Sequence, residues 1–308
     1  MHRFWQRYTK PIVETLAPRR IIEVGAEFGW NTQHLLDYCR ATGAHLHIID
    51  PAPHPALHDV RTAYPDEHTY HALKSVAAIP GLDPADLVLL DGDHNWHTVY
   101  TELTLIFMRA AETGAPPPVV LFHDVAWPYA RRDMYYDPLS LLEADRHPYA
   151  YRGMLPGSSE LTDSGLNGRF ANALHEGGPC NGVLTAVEDF KASSSVPMAL
   201  YQLPFFNGLG ILVPDARITP ALQAVIDGFF EGPSLMETCR QLERDGMLVR
   251  AELSTLETQL AQKSEALARA RALIDELERA RQSALMARLR ALRHRAFSLA
   301  RTVVRSGA

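Results

Sequence analysis

The sequence predicts an open α/β fold of the nucleotide-binding, Rossmann-like type, followed by a long helical extension. Three observations predict it. Ile21-Ile22-Glu23-Val24-Gly25-Ala26-Glu27-Phe28-Gly29 is a short apolar run, an acid and two glycines four apart, with a helical pattern directly after it. That is the pattern of a buried strand, a tight turn and a helix. Near the other end of the body, Met198–Leu203 and Leu209–Val213 form two apolar runs joined through Pro204–Gly208. Strands joined by so short a turn must be antiparallel. Beyond Pro233 there is no proline, and Leu253, Leu260, Leu267 and Ile274 recur every seven residues, the repeat of a coiled coil.

The elements follow in order. Residues 3–17 carry Trp5, Tyr8, Ile12, Val13 and Leu16 at near-helical spacing, with Pro11 weakening the middle. Strands are expected at Arg20–Val24, His45–Asp50, His68–Ala72, Asp86–Leu90 and Pro118–Phe122. Helices are expected at Asn31–Arg40, Pro55–Ala63, His97–Ala111 and Val183–Phe190. Residues 125–182 interrupt this alternation. Their 58 positions hold seven glycines, five prolines and seven aromatics with little periodicity. A structureless stretch of that length inside a domain reads as a lid or substrate loop. The division expected is therefore a body at 1–234, with its insertion at 125–182, and a tail at 235–308.

Composition narrows the function classes. The 308 residues are 46% hydrophobic, ordinary for a globular chain, and no apolar run is long enough for a membrane span. The N-terminus lacks the apolar stretch of a signal peptide. Cys39, Cys180 and Cys239 are far apart and form no CxxC pair, so a reducing cytoplasm is the expected setting. Charge is unevenly placed. Residues 1–234 hold 16 Lys+Arg and 27 Asp+Glu, for −11; residues 235–308 hold the remaining 14 and 9, for +5. An acidic body argues against a nucleic-acid partner, which needs a basic footprint.

The turn after the first strand selects the ligand class. Glycine there admits close backbone approach. A dinucleotide fold wants G-x-G-x-x-G with a pyrophosphate against the second glycine, but this chain has Glu27 at that position. An acid repels phosphate and suits a cation. Glu23-x-Gly25-x-x-x-Gly29 resembles the first motif of the class I S-adenosylmethionine-dependent methyltransferases, whose cofactor carries a sulfonium and an ammonium and no phosphate. Asp50, 25 residues after Gly25, stands where such folds place the carboxylate for the ribose hydroxyls; an Asp before Pro51 is also a common turn residue. Ser75, after the third strand, falls at the adenine position. The resemblance implies a mixed sheet with an antiparallel last strand, in keeping with the final pair of runs.

A second cluster ends strands four and five. Leu90-Asp91-Gly92-Asp93-His94-Asn95 and Phe122-His123-Asp124 would bring acids and imidazoles to the carboxyl edge of the sheet, where ligands bind. One of Asp93 and Asn95 serves as a helix cap. The cluster resembles the catechol-type, caffeoyl-coenzyme-A-type and macrocin-type O-methyltransferases. That resemblance implies a divalent metal, magnesium or manganese, held by Asp91, His123 and Asp124. It also places Asp91 beside the cofactor and puts His94 where those families have a lysine base. His123 replaces the usual acid, which disfavours a pure magnesium site and makes it a second candidate base. In the insertion, Trp127, Arg131, Arg132, Tyr135 and Asn181 are expected to meet a substrate that is polar with flat apolar faces, such as a small hydroxylated molecule or a glycan.

In the tail, Leu256, Ala270, Leu277 and Ala284 take the partner positions of the seven-residue repeat, with Lys263 as a polar interruption. About four heptads imply a homo-oligomer. Leu289, Leu292, Ala296 and Leu299 start a new stripe, and residues 285–308 carry six arginines and no acid. Such a helix suits an anionic membrane surface or an acidic partner; a solvated face extending the oligomer is equally open. The expectation is a cytoplasmic S-adenosylmethionine-dependent O-methyltransferase with peripheral membrane contact an open option. The alternative is a binding or scaffold protein of methyltransferase fold assembled by its coiled coil.

Overall fold

The computed structural model describes residues 1–305, with side chains through residue 293. The chain falls into two compact units, Met1–Leu235 and a second beginning at Met236.

The first unit alternates as its hydrophobic pattern requires: α1 (Lys10–Leu16), β1 (Arg20–Val24), α2 (Trp30–Thr42), β2 (His45–Ile49), α3 (Ala56–Thr62), β3 (His68–His71), α4 (Ser75–Ala78), β4 (Leu87–Leu90), α5 (Trp96–Thr113) and β5 (Val119–His123). The insertion follows with β6 (Met134–Tyr135), β7 (Tyr149–Ala150) and β8 (Ala171–Ala173). Then come α6 (Val183–Ser193), β9 (Met198–Leu203), β10 (Leu209–Pro214) and α7 (Pro220–Phe229). The main sheet has the order β3-β2-β1-β4-β5-β10-β9. β1 to β5 are parallel, and β10 runs antiparallel between β5 and β9. This is the mixed Rossmann-like sheet expected. β1, β4 and β5 lie mid-sheet and are buried almost throughout, as strands covered on both faces must be. One core packs Phe4, Tyr8, Ile12, Leu35 and Leu46 under one face; the other packs Val99, Leu103, Phe107, Val187 and Phe190 under the opposite face.

Two differences from the expected elements have local causes. The N-terminal segment is not one helix: His2–Phe4 is a 3-10 turn and Trp5–Thr9 a π turn before α1 begins. Pro11 sits in the first turn of α1, where its missing N–H costs nothing. The insertion is not structureless. β6, β8 and β7 form a three-stranded antiparallel sheet. Asp133 holds it to the body: Oδ1 accepts from Trp96 N and from Gly182 N, each at 2.7 Å, and Oδ2 accepts from the Tyr135 hydroxyl at 2.8 Å. One carboxylate thus ties the first residues of α5 and α6 to the insertion.

In the second unit, α8 (Gly232–Arg305) is a single helix. Leu253, Leu256, Leu260, Leu267, Ile274 and Leu277 are all more than half exposed along it. Ala296 and Leu299 of the expected second stripe, and the arginines beyond residue 293, lie outside the described side chains. No helix among the described residues is long and apolar enough to cross a membrane.

Candidate active site

The site is built at the carboxyl ends of β1, β2, β4 and β5. Gly25 has φ +82°, and a Cβ there would stand 2.1 Å from the Asp91 carbonyl oxygen. Its glycine is required because the loops after β1 and β4 touch. Gly29 has φ +80° and opens α2, with Leu57 and Val60 packed against it. These glycines seat Asp91 and α2 as well as shaping the ligand edge.

Glu23 lies at the bottom of this edge, 2% exposed. Its oxygens accept from Asn31 Nδ2 at 2.7 Å and from the Thr32 hydroxyl at 2.6 Å. Burial pushes its carboxyl up to about 7 against those two bonds. Beside it, Asn31 Oδ1 is buried without a hydrogen-bond partner. A titratable acid and an orphaned acceptor together suit a ligand ammonium. Asp50 accepts from Ala26 N at 3.0 Å and Glu27 N at 2.9 Å on Oδ2, and from Ala52 N at 2.9 Å on Oδ1. It therefore holds the glycine loop itself. Of about four lone-pair positions on a carboxylate, one stays open for a ribose hydroxyl. Ser75 is placed otherwise than expected. Its hydroxyl donates to buried Glu102, so it faces the body.

Asp91, His123 and Asp124 converge, with one ligand atom from each within 4.8 Å of the others. His123 Nε2 lies 2.9 Å from the Phe206 carbonyl, which can only accept, so Nε2 carries a hydrogen. Nδ1 then faces Asp91 Oδ1 at 2.9 Å and Asp124 Oδ2 at 3.0 Å. Between two carboxylates a nitrogen needs a proton or a cation. Burial alone would lower the His123 pKa, but Asp91 and Asp124 outweigh it and push it up to about 10. Burial would raise Asp91; His123 and the Met1 ammonium, 2.7 Å from Asp91 Oδ2, hold it well below the usual carboxylate range. Asp124 is likewise lowered, by His94 and His123 against burial. Both residues that frame His123 have left-handed backbone: Asp124 at φ 59° and Phe206 at φ 52°. Strain at two neighbours of one side chain marks a constrained site.

These residues fit a divalent ion. Two carboxylate oxygens and an imidazole nitrogen converge, and the Phe206 carbonyl fixes the tautomer that leaves Nδ1 free to ligate. The mixed N and O donors favour manganese or a later transition ion over magnesium. The same geometry removes His123 as a base, since neither ring nitrogen is open to an acceptor. His94 remains. Its Nδ1 lies 3.4 Å from Asp124 Oδ2, and its Nε2 lies 3.5 Å from the Tyr136 hydroxyl. Tyr129 stacks on its ring at 5.6 Å. Asp93 is an outer support, accepting from His94 N and the Thr98 hydroxyl, while Asn95 caps α5.

Most of the expected substrate residues are engaged elsewhere. Arg131 pairs with Glu188 on α6. Arg132 is buried against the carbonyls of Ala173 and Ser159. Tyr135 is buried on Asp133, and Asn181 accepts from Asp133 N and donates to His175 and Gly177 carbonyls. These four build the insertion. Trp127 packs with Tyr129 in a small cluster within the insertion, and its carbonyl accepts from Asn207. The side chains that do meet His94 are Tyr129 and Tyr136. Their aromatic type was a signal in the sequence; their facing was not.

Residues 22–125 match a family model described as a methyltransferase domain. That segment of the chain is thus similar to a methyltransferase domain. No curated protein sequence matches the chain. Similar solved structures include the SAH-bound Podospora anserina methyltransferase PaMTH1, 14% identical over 67% of this chain and 77% of that one, with a TM-score of 0.41. The Burkholderia thailandensis 1,6-didemethyltoxoflavin-N1-methyltransferase is 12% identical over 67% and 75%, also at 0.41. Human N-acetylserotonin methyltransferase is 14% identical over 69% and 53%, at 0.37. The matched segment runs from β1 to the residue after Asp124 and spans Glu23, Asp50, Asp91, His94 and His123.

Proposed function

We propose that the chain transfers the S-adenosylmethionine methyl group to a hydroxyl of a small-molecule or sugar acceptor, with His94 as general base. The observation that supports this best is the pairing of His94 Nδ1 with Asp124 Oδ2 at 3.4 Å, which leaves Nε2 turned to the Tyr136 side. The acceptor oxygen attacks the sulfonium methyl carbon, the carbon–sulfur bond breaks, and the hydroxyl proton passes to His94 Nε2. Asp124 holds the ring and stabilises the imidazolium, the part an acid plays behind a catalytic histidine. Asp91, His123 and Asp124 would hold a divalent ion, whose charge would acidify the acceptor hydroxyl. Glu23, Asn31 and Asp50 bind the cofactor. The exposed seam of α8 and the arginines after residue 285 serve self-association and an anionic surface or partner.

The test follows labelled methyl transfer to a panel of hydroxylated small molecules. His94→Gln is expected to keep cofactor binding and lose rate by roughly 10²–10⁴-fold. A variant as fast as the parent overturns the base assignment. Exhaustive chelation is expected to remove activity and manganese to restore it; full activity after chelation removes the metal and leaves the His94–Asp124 pair alone.

A further inference from the structure

Two strands away from Asp91, the outer edge of the sheet carries a second group of imidazoles. β2 contributes His45 and His47, two residues apart and therefore on one face. β3 contributes His71, which pairs with Ile49 in register and so shares that face. His47 Nδ1 and His71 Nε2 lie 3.1 Å apart. The His45 ring centroid is 5.1 Å from that of His47, and His45 Nε2 rests on the exposed Thr69 hydroxyl at 2.9 Å. Methyl transfer at the cleft makes no use of any of them.

The geometry points to a second cation site on this edge, formed by His47 and His71 with water completing the shell, for a borderline divalent transition ion of the zinc class. Two nitrogens 3.1 Å apart match the bite of two imidazoles on one tetrahedral zinc, where each bond is about 2.0–2.1 Å. An uncharged imidazole pair places only one proton between these atoms, so one nitrogen already presents a lone pair, and the other does so once its hydrogen shifts to the second nitrogen of the same ring. Burial holds all three histidines below the ordinary imidazole range, and the charges of His45 and His71 add to it at His47, which sits at about 4. They stand neutral, the form that ligates. Asp83, whose carboxylate acts on His47, supplies compensating charge; Arg20 on β1 acts in the opposite sense. Nitrogen donors set this site apart from the oxygen-rich cleft and select zinc, copper or nickel over magnesium.

The experiment uses the full chain in a His94→Gln/His123→Gln background, so that neither of these cleft imidazoles contributes. Cobalt(II) serves as the spectroscopic probe and zinc as its competitor. The expected result is a visible imidazole–cobalt band that zinc abolishes, and that is lost in His47→Gln/His71→Gln together with one bound equivalent per chain. Should the double variant be poorly folded, nitrogen-15 shifts of the two rings on zinc addition to the otherwise native chain decide the matter. A band unchanged in a folded double variant, or His47 and His71 rings unmoved by zinc, overturns the site.

Discussion

Glu23 offers the sharpest test of the cofactor edge, because it couples two measurements of opposite sign. Its carboxyl sits at about 7 in the folded chain against an ordinary value of 4.5, burial being the main cause. Between those values the folded state binds more protons than the unfolded one, so stability falls as pH rises. The loss begins near pH 4.5 and is complete above about 7, amounting to ~3 kcal/mol for that shift. Cofactor binding should run the other way. A cation beside Glu23 and the orphaned Asn31 oxygen favours the ionised carboxylate. If only the ionised form binds, affinity should weaken roughly tenfold for each pH unit below 7 and level off above it. Calorimetric titration of S-adenosylmethionine from pH 5.5 to 8.5, with thermal melts of the free chain in the same buffers, reads both trends. Glu23→Gln should flatten both and weaken binding at pH 8. A parent affinity independent of pH refutes the role given to Glu23, whatever the melts show.

Glu102 is a purely structural counterpart. Burial pushes it up to about 8, and its partner is the Ser75 hydroxyl. Glu102→Gln should therefore stabilise the chain, most clearly above pH 8, where the native carboxyl is forced to ionise; melts at pH 5 and 8.5 check the difference. Gly25→Ala should cost ~1–2 kcal/mol from left-handed backbone alone, more from the contact with the Asp91 carbonyl, and denaturant unfolding measures it. Asp133→Asn replaces an acceptor shared by three donors and should cost ~1–3 kcal/mol, with faster amide exchange at Trp96 and Gly182 as its local signature. Leu260→Lys with Leu267→Lys should lower the mass of the full chain in light scattering if the α8 seam joins copies; equal masses would refute that use of the seam.

Much of the site was legible because local pattern and spacing placed it. β1 begins and ends at Arg20 and Val24 as read, and the acids after β2 and β4 follow from strand ends. The antiparallel β9–β10 pair followed from the short turn between two apolar runs. What escaped was set by distant or backbone groups. The carbonyl that fixes the His123 tautomer belongs to Phe206, 83 residues away, and no side-chain pattern announces it. Arg132 looked like a substrate residue by type. Its burial against two carbonyls depends on how the insertion closes on itself, which periodicity does not encode. Ser75 was found at the right turn, but its hydroxyl direction depends on Glu102 from α5.

The Asp133 junction bears on how acceptor range could change in relatives or by design. Surface loops are commonly exchanged between scaffolds as self-contained cassettes. Here the insertion shares a single carboxylate with the starts of α5 and α6, and α5 opens two residues after His94. A transplanted insertion lacking an acid at that point would leave two main-chain donors without partners and loosen the turn carrying His94, the proposed base. Specificity and catalytic alignment are therefore not independent modules in this chain. Acceptor range is more safely altered at the Tyr136 side, where an exposed ring meets His94 without holding any strand or helix in place.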